Sequence, residues 1–187
     1  MIASGIKSEI KRLDRKELAR MLSELADFKP ENEVWLKTRL YGPKLESSLE
    51  FYKKRIRNAF FGKDAPSLKL ARTALNDYKK VSGDLESNID LMVSYVENGT
   101  ELTLKYGDMW GAFYTSLENV YIDLLKTLAK PKNRHLIDKF KPRLIALVDK
   151  TEDIGWGCDI LQRLKVVGFP CICRVCSQFF ESVCIPC

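Results

Sequence analysis

The sequence predicts an all-α protein of about seven short amphipathic helices, packed as an irregular bundle or as stacked helical hairpins, with no sheet. Three observations support this prediction. Apolar residues recur at steps of three and four along most of the chain, which is the period of one helical face. No segment shows the sustained apolar–polar alternation, rich in β-branched residues, that predicts a strand. The uneven spacing of the helix starts argues against a regular helical repeat array.

The first predicted helix has a clear beginning and end. Asp14 can cap the free amides of the first turn, and Glu17 can reach back to the amide of the capping residue. An apolar stripe follows at helical spacing, made of Leu18, Leu22, Leu25 and Phe28. Pro30 ends this helix, because proline cannot continue the hydrogen-bond ladder of a helix interior.

Two further helices are predicted before residue 63. A short one covers about residues 34–40 and ends at Gly42-Pro43. The next one carries an apolar face made of Leu45, Leu49, Tyr52, Ile56 and Phe60, and Gly62 closes it.

The middle of the chain predicts two more helices. Pro66 opens the first of them, whose inner side consists of Leu68, Ala71, Leu75 and Tyr78. Asp84 caps the second, and Asn98-Gly99 is expected to end it, because glycine accepts the left-handed conformation of a helix terminus without a Cβ clash.

The last two predicted helices lie between Gly107 and residue 150. The first has the most regular period, with Phe113, Leu117, Val120, Tyr121, Leu124 and Leu128 on one face and Pro131 at its end. The second covers residues 136–148 and contains Pro142. Because a proline inside a helix loses one backbone bond and clashes with the preceding turn, this segment predicts a kink or two short helices near Lys141.

Composition indicates a globular chain. Of the 187 residues, 45% are apolar and 30% are charged, which is too apolar for a disordered protein. The first eighteen residues contain no apolar core of a secretory signal, and no stretch supplies the roughly 20 uninterrupted apolar residues of a membrane span. We therefore expect a cytoplasmic protein that does not associate with a membrane.

The net charge of +6 is concentrated in the first half. Residues 1–80 carry nineteen Lys/Arg against eleven Asp/Glu, and the sharpest basic cluster is Lys53, Lys54, Arg55 and Arg57. Such a cluster could hold the phosphates of a nucleic acid. It also fits the solvated polar face of a helix, which is the interpretation we favour.

Several segments resemble a known family. They are 13–18 (LDRKEL), 74–80 (ALNDYKK), 90–99 (DLMVSYVENG), 106–108 (YGD), 113–118 (FYTSLE) and 154–157 (IGWG). Together they resemble a family of small bacterial helical proteins that is catalogued only as a domain of unknown function. The resemblance covers about residues 6–157 and implies an all-helical bacterial protein. It implies no activity, cofactor or site residue.

All six cysteines lie beyond residue 157, where the resemblance stops: Cys158, Cys171, Cys173, Cys176, Cys184 and Cys187. The sequence thus predicts a helical domain over 1–157 and a cysteine-rich tail over 158–187. Two C-x₂-C pairs, Cys173/Cys176 and Cys184/Cys187, could hold zinc through four thiolates, although a zinc ribbon usually separates its pairs by about 15–20 residues. The abrupt change of composition at the point where the resemblance ends is what a reading-frame shift would produce. We favour this explanation over a metal site, a disordered tail is also possible, and we assign no metal site.

Residues suited to catalysis are few. The single histidine, His135, cannot supply a dinuclear carboxylate–histidine site, and we expect it to be an ordinary, partly exposed side chain. Neither a nucleophile elbow nor a phosphate-binding glycine loop is present. Asp90, Glu97 and Glu101 could form one acidic strip, or they could be the solvated side of a helix. Trp110 could be a half-exposed contact residue or a buried residue at a helix junction, and we favour burial.

These observations assign no catalytic, cofactor-binding or metal-binding residue and no cofactor. The sequence favours a non-enzymatic interaction or scaffold protein with an unknown protein partner. The alternative is a nucleic-acid-associated protein that uses its basic N-terminal half and a zinc site at Cys173, Cys176, Cys184 and Cys187.

Overall fold

The computed structural model describes residues 4–42, 46–63 and 65–151. Within these ranges the chain forms eight α-helices, and no residue lies in a strand, so the predicted all-α fold is confirmed. The helices are α1 (Ser4–Ile10), α2 (Arg15–Phe28), α3 (Pro30–Tyr41), α4 (Glu46–Phe61), α5 (Leu68–Val81), α6 (Leu85–Tyr106), α7 (Gly111–Leu128) and α8 (Arg134–Thr151). A 3₁₀ turn, Pro131–Asn133, precedes α8. None of the helices so described is both long and apolar enough to cross a membrane. The cysteine-rich tail and the predicted domain end at residue 157 lie outside the described residues.

The chain divides into two compact units, one through Ser48 and one from Leu49 onward. In the first unit, α2 and α3 pack against each other. The predicted capping box is confirmed, since Asp14 Oδ1 accepts from Glu17 N at 2.7 Å and Glu17 Oε2 accepts from Asp14 N at 3.1 Å. Pro30 follows the end of α2 and also occupies the first position of α3, where its missing N–H has no helical partner to lose. The second helix therefore starts earlier than the predicted residue 34.

The second unit is built around α6, which packs against α5, α7 and α8. Its core contains buried aromatic rings from three helices. Phe60 of α4 meets Tyr95 of α6 edge-on, with ring centroids 5.2 Å apart, and meets Phe113 of α7 at 6.0 Å. Beside this core, charged residues of α4 and α8 pair with carboxylates of α6.

Helix α6 continues through Asn98-Gly99 to Tyr106, so the prediction that it ends there is wrong. Gly99 allows a close helix approach instead. A Cβ atom added at Gly99 would lie 2.2 Å from Leu117 Cδ2 of α7, a distance that side chains do not tolerate. The helix ends at Gly107, which adopts φ 85° and donates its N–H to Thr103 O at 2.8 Å.

The sequence predicts a kink or two short helices near Lys141. Helix α8 runs through Pro142 without interruption, so the second of these alternatives is wrong. Its apolar face is buried on both sides of the proline: Leu136, Phe140, Leu144, Leu147 and Val148. Burial of a whole helical face stabilises the segment by more than the loss of one backbone hydrogen bond costs.

Trp110 is 48% exposed, which contradicts the expectation that it is buried. It is the residue just before α7, and its ring lies edge-on to Phe113 with centroids 5.6 Å apart. Because Trp110 is the N-cap residue of α7, its indole lies at the edge of the core and covers one side of the buried Phe113 ring.

Two buried tyrosines of the second unit differ in their hydrogen bonding. The hydroxyl of Tyr95 lies 2.8 Å from Ser116 Oγ. The hydroxyl of Tyr121 has no hydrogen-bond partner in the described part of the chain, although the residue is fully buried. Burial raises the pKa of Tyr121, so its hydroxyl stays protonated.

We expect Tyr121→Phe to leave the free energy of unfolding unchanged or to raise it by up to about 1 kcal/mol, because the change removes an unsatisfied buried polar atom. Tyr95→Phe should lower it by about 1 kcal/mol, because Ser116 then loses its partner. Urea unfolding at pH 7 measures both. A larger loss for Tyr121→Phe than for Tyr95→Phe would contradict the assignment of an unpaired hydroxyl.

Candidate functional site

The carboxylates on one side of α6 form the centre of a charged seam. Four of them follow one another at helical spacing: Glu86, Asp90, Glu97 and Glu101. The sequence left open whether the last three form an acidic strip or a solvated helix side. In the structure each of the four is paired with a cation from α4 or α8. These four carboxylates and the cations of α4 and α8 that pair with them are the charged seam.

Asp90 joins three helices. Its Oδ2 lies 2.9 Å from Lys53 Nζ of α4, and its Oδ1 accepts from Arg143 Nη1 of α8. The side chain is only 21% exposed. This partial burial opposes ionisation, but the hydrogen bonds from Arg143 and Lys53 outweigh it and hold the pKa of Asp90 below its ordinary value. Asp90 thus stays ionised and ties α4 and α8 to α6.

Arg143 also binds Glu97 through two nitrogens. Its Nε donates to Glu97 Oε1 at 2.9 Å and its Nη2 to Glu97 Oε2 at 2.6 Å, and Nη2 reaches Ser94 Oγ at 3.3 Å. These hydrogen bonds with Glu97, followed by that with Asp90, raise the pKa of Arg143 despite its partial burial. A planar guanidinium satisfies two carboxylates at once, which a lysine at this position could not do with the same geometry.

The basic cluster of α4 belongs partly to this seam. Arg57 donates to both oxygens of Glu101, at 2.9 and 3.0 Å, and to Asn98 Oδ1 at 3.0 Å. Lys53 is paired with Asp90, and the Arg55 guanidinium lies over the aromatic rings of Phe51 and Tyr52. Two of the four cations of the basic cluster, Lys53 and Arg57, are thus paired with carboxylates within the protein, which lowers the charge that the cluster offers to a nucleic acid.

A cavity of about 320 Å³ lies between the C-terminal parts of α6 and α8, and we call it the α6–α8 cavity. Both walls are single helical faces. They consist of Glu97, Thr100, Glu101 and Leu104 from α6 and of Arg143, Ala146, Leu147 and Lys150 from α8. Its volume is at the small end of the range of small-molecule sites.

Thr100 is the most unusual residue of the cavity wall. It is 1% exposed, and its hydroxyl has no hydrogen-bond partner among the residues that the structure describes. Thr103, one turn further along α6, donates to Gly99 O at 3.2 Å, as helical threonines commonly do. An unsatisfied buried hydroxyl costs about 1–3 kcal/mol, so Thr100 lowers the stability of the protein at this point of α6.

A second surface lies on α2, in the first unit. Three residues of the predicted apolar stripe are exposed, Leu22 (46%), Leu25 (48%) and Phe28 (75%), and so is the neighbouring Met21 (46%). We call these four residues the α2 stripe. Leu18, the other residue of the predicted stripe, is half-buried. No residue of α2 is buried. The apolar period predicts this face, but it does not reveal whether a neighbouring element covers it.

The remaining residues considered from the sequence do not form a site. His135 is exposed on the first turn of α8, as expected of an ordinary histidine. The part of the chain that the structure describes contains no group of three or more His, Cys, Asp or Glu residues that could hold a metal ion. Cys173, Cys176, Cys184 and Cys187 lie outside the described residues.

Comparison with known proteins does not indicate a family or a function for this chain. No family model, curated protein or solved structure matches the chain. The resemblance to a bacterial family of unknown function therefore stays a prediction. The structural features described above that bear on function are the α6–α8 cavity and the α2 stripe.

Proposed function

We propose that the protein is a non-enzymatic, cytoplasmic interaction protein that binds an amphipathic helix of a protein partner on the α2 stripe. The observation that carries this proposal is the exposure of four large apolar side chains on one face of one helix. Contiguous exposed apolar surface on a folded protein commonly marks an interaction site.

The spacing of the stripe favours a helical partner. Its residues occupy positions i, i+1, i+4 and i+7 of α2, the pattern of anchors through which helices recognise one another. From Met21 to Phe28 the stripe rises by about 10 Å, or two helical turns. Met21 adds an unbranched, flexible side chain that adapts to the shape of a partner.

Charge restricts the partner further. On a helical projection of α2, Glu17 and Glu24 lie beside the stripe on the same edge, seven residues apart. Glu17 also accepts from Asp14 N, and Glu24 lies 3.8 Å from Arg20 in a pair whose side chains are 66% and 73% exposed. Because such an exposed pair is weak, a partner helix with basic residues along the matching edge would compete for these carboxylates, whereas an acidic edge would be repelled. We therefore expect an amphipathic helix with an apolar face and a basic flank.

The test uses a photo-crosslinking residue in place of Phe28 to identify the partner in cells, and then a synthetic peptide from the crosslinked helix. We expect Leu25→Asp to weaken peptide binding at least roughly tenfold, which corresponds to about 1.4 kcal/mol. Fluorescence anisotropy with the full chain measures this affinity.

The matched control is Ser23→Asp, which adds the same charge on the opposite face of the same exposed helix. It should change the affinity by less than about twofold. Equal weakening by both variants, or no weakening by Leu25→Asp, would show that the α2 stripe is not the binding surface. Circular dichroism melts of both variants establish that each one folds.

A further inference from the structure

Positive charge is concentrated where α7 ends and α8 begins. Residues 124–137 contain five basic side chains and neither Asp nor Glu. All five are exposed, and we call them the basic turn: Lys126, Lys130, Lys132, Arg134 and His135. None of them forms an ion pair within the part of the chain that the structure describes, not even with the bordering Asp123 and Asp138. Asp123 lies close enough to Lys79 of α5 to attract that charge instead.

Hydrogen bonds and burial fix the backbone of the basic turn. Asn133 is 3% exposed, its Nδ2 donates to Thr127 O at 2.6 Å, and its backbone N–H donates to Lys130 O at 2.8 Å. Leu128 and Leu136, on either side of the turn, are buried as well. Because the backbone is anchored in this way, a ligand meets the cations on a preformed surface and orders little of the chain when it binds.

The position of these cations in the fold gives them no compensating charge. The N-terminal end of a helix carries partial positive charge, which acidic side chains stabilise and basic ones do not. The first turn of α8 contains no acidic residue; Arg134 and His135 occupy it, and Lys130 and Lys132 directly precede it. The basic residues therefore do not stabilise this end of the helix, whereas a bound polyanion would neutralise both the side chains and the helix end.

The surroundings of the basic turn distinguish between classes of polyanion. Between residues 111 and 151 the structure exposes no large apolar side chain, whether aliphatic or aromatic. A peptide, a single-stranded nucleic acid and a lipid bilayer would therefore lack the apolar anchors, the stacking rings or the inserted side chains that usually support their binding. Charge alone supplies essentially all of the non-specific binding of a nucleic-acid duplex. A duplex is thus the partner that this surface fits best.

We propose that the basic turn binds the phosphate backbone of duplex nucleic acid, without base contacts and therefore independently of base sequence. Its four Lys and Arg side chains each contact a phosphate. The sequence directs attention to residues 53–57 for such contacts, but there Lys53 and Arg57 are paired with carboxylates. The basic turn lies in the second unit and does not include the α2 stripe, so either proposal can fail without the other.

The test measures the affinity of the full chain for a fluorescein-labelled B-DNA duplex of mixed sequence, by fluorescence anisotropy at a series of salt concentrations. Each neutralised phosphate releases condensed counterions, so the salt dependence counts the contacts. Four contacts predict that the logarithm of the binding constant falls against the logarithm of the salt concentration with a slope of about −3.6. No binding at about 50 mM salt, or a slope shallower than about −1, would overturn the proposal.

Two double variants separate the basic turn from the net charge of the protein. Lys130→Gln/Lys132→Gln should make the slope shallower by about 2 and weaken binding at low salt at least roughly tenfold. The matched control is Lys69→Gln/Lys105→Gln, which removes the same charge from exposed positions at the start of α5 and the end of α6. It should leave the slope unchanged. Equal effects of the two double variants would show that net charge alone causes binding and would overturn the proposal. Circular dichroism melts establish that both variants fold.

Two competitors test the choice of a duplex over other polyanions. Poly-glutamate offers an acidic chain, and vesicles that contain phosphatidylglycerol offer an anionic lipid surface. The duplex carries one charge per about 1.7 Å of its axis, a density that an extended acidic chain does not reach. Per charge, both competitors should displace the labelled duplex at least roughly tenfold less effectively than unlabelled duplex does. Displacement by either one as effective as by unlabelled duplex would assign the basic turn to that class of partner instead.

Discussion

Replacing Asp90 by asparagine should lower the free energy of unfolding by about 2 kcal/mol at pH 7. The carboxylate of Asp90 is the common partner of Lys53 and Arg143, and its side chain is only 21% exposed. Its removal leaves Lys53 paired with Glu50 and Arg143 paired with Glu97. Breaking a buried pair by removing one partner costs about 3–5 kcal/mol, and an exposed pair contributes about 0–1 kcal/mol. Because both cations keep a carboxylate, the expected loss lies between these two ranges.

The control is Asp77→Asn, the same chemical change at an exposed pair. Asp77 lies 3.1 Å from Lys80 one turn away on α5, and the Lys80 side chain is 75% exposed. Such surface pairs contribute about 0–1 kcal/mol. Urea unfolding of both variants gives the comparison, and a loss for Asp90→Asn no larger than that for Asp77→Asn would refute the role of Asp90 as a bridge.

The contribution of Asp90 should also depend on pH. Partial burial opposes its ionisation, but the hydrogen bonds from Arg143 and Lys53 prevail and lower its pKa from the ordinary 3.8. Because the folded-state pKa is the lower one, the stabilisation is present in full above the ordinary value and is lost as the pH falls through the folded-state value. The stability of the wild-type protein should therefore approach that of Asp90→Asn as the pH falls below 3.8.

Helix starts that carry an aspartate cap are the part of the fold that the sequence predicts best, because the atoms involved are close in the chain, whereas the uncapped start of α3 lies four residues before the predicted one. The Asp14 cap and the Asp84 cap each bond an amide three residues away. Such signals need no knowledge of the tertiary structure. The apolar periods likewise predict which face of each helix is apolar, and the buried residues of α5 and α7 lie on the predicted faces.

The partners of those faces could not be predicted in the same way. Asp90 and Glu97 are visible as a recurring acidic side of α6, but Arg143 lies 53 and 46 residues away from them in the sequence. The sequence of α8 presents Arg143 as one of many basic residues. Only the packing of α8 against α6 turns a solvated flank into a paired seam and creates a cavity beside it. For the same reason, the sequence does not predict that the α2 stripe is exposed. The apolar period shows which face of α2 is apolar, but it does not show whether another helix covers that face.

Gly99 shows how one sequence pattern fits two structures. Asn-Gly is a common way to end a helix, and it is also compatible with a helix interior where a neighbouring helix comes very close. The Leu117 side chain decides between them, and it lies eighteen positions further along the chain. If Gly99 ended a helix, a larger side chain at position 99 would disfavour the left-handed backbone conformation but would not clash with Leu117.

Gly99→Val should lower the free energy of unfolding by about 3 kcal/mol, because it forces three carbon atoms into the space of Leu117. The first of them would lie 2.2 Å from Leu117 Cδ2 and 2.7 Å from Cδ1, so the Leu117 side chain has to move, and this side chain is fully buried. Gly111→Val at the start of α7 is the control. No atom lies within 4 Å of a Cβ placed there, and the expected change is within about 0.5 kcal/mol.

The double variant Gly99→Val/Leu117→Ala tests whether the strain arises at this contact. Leu117→Ala alone should cost about 2–5 kcal/mol through the cavity it leaves. In the double variant that cavity receives the valine, so the combined loss should be smaller than the two single losses added, by about 1 kcal/mol or more. Additive losses would place the strain elsewhere, and the close approach of α6 and α7 would then not be the reason for a glycine inside α6.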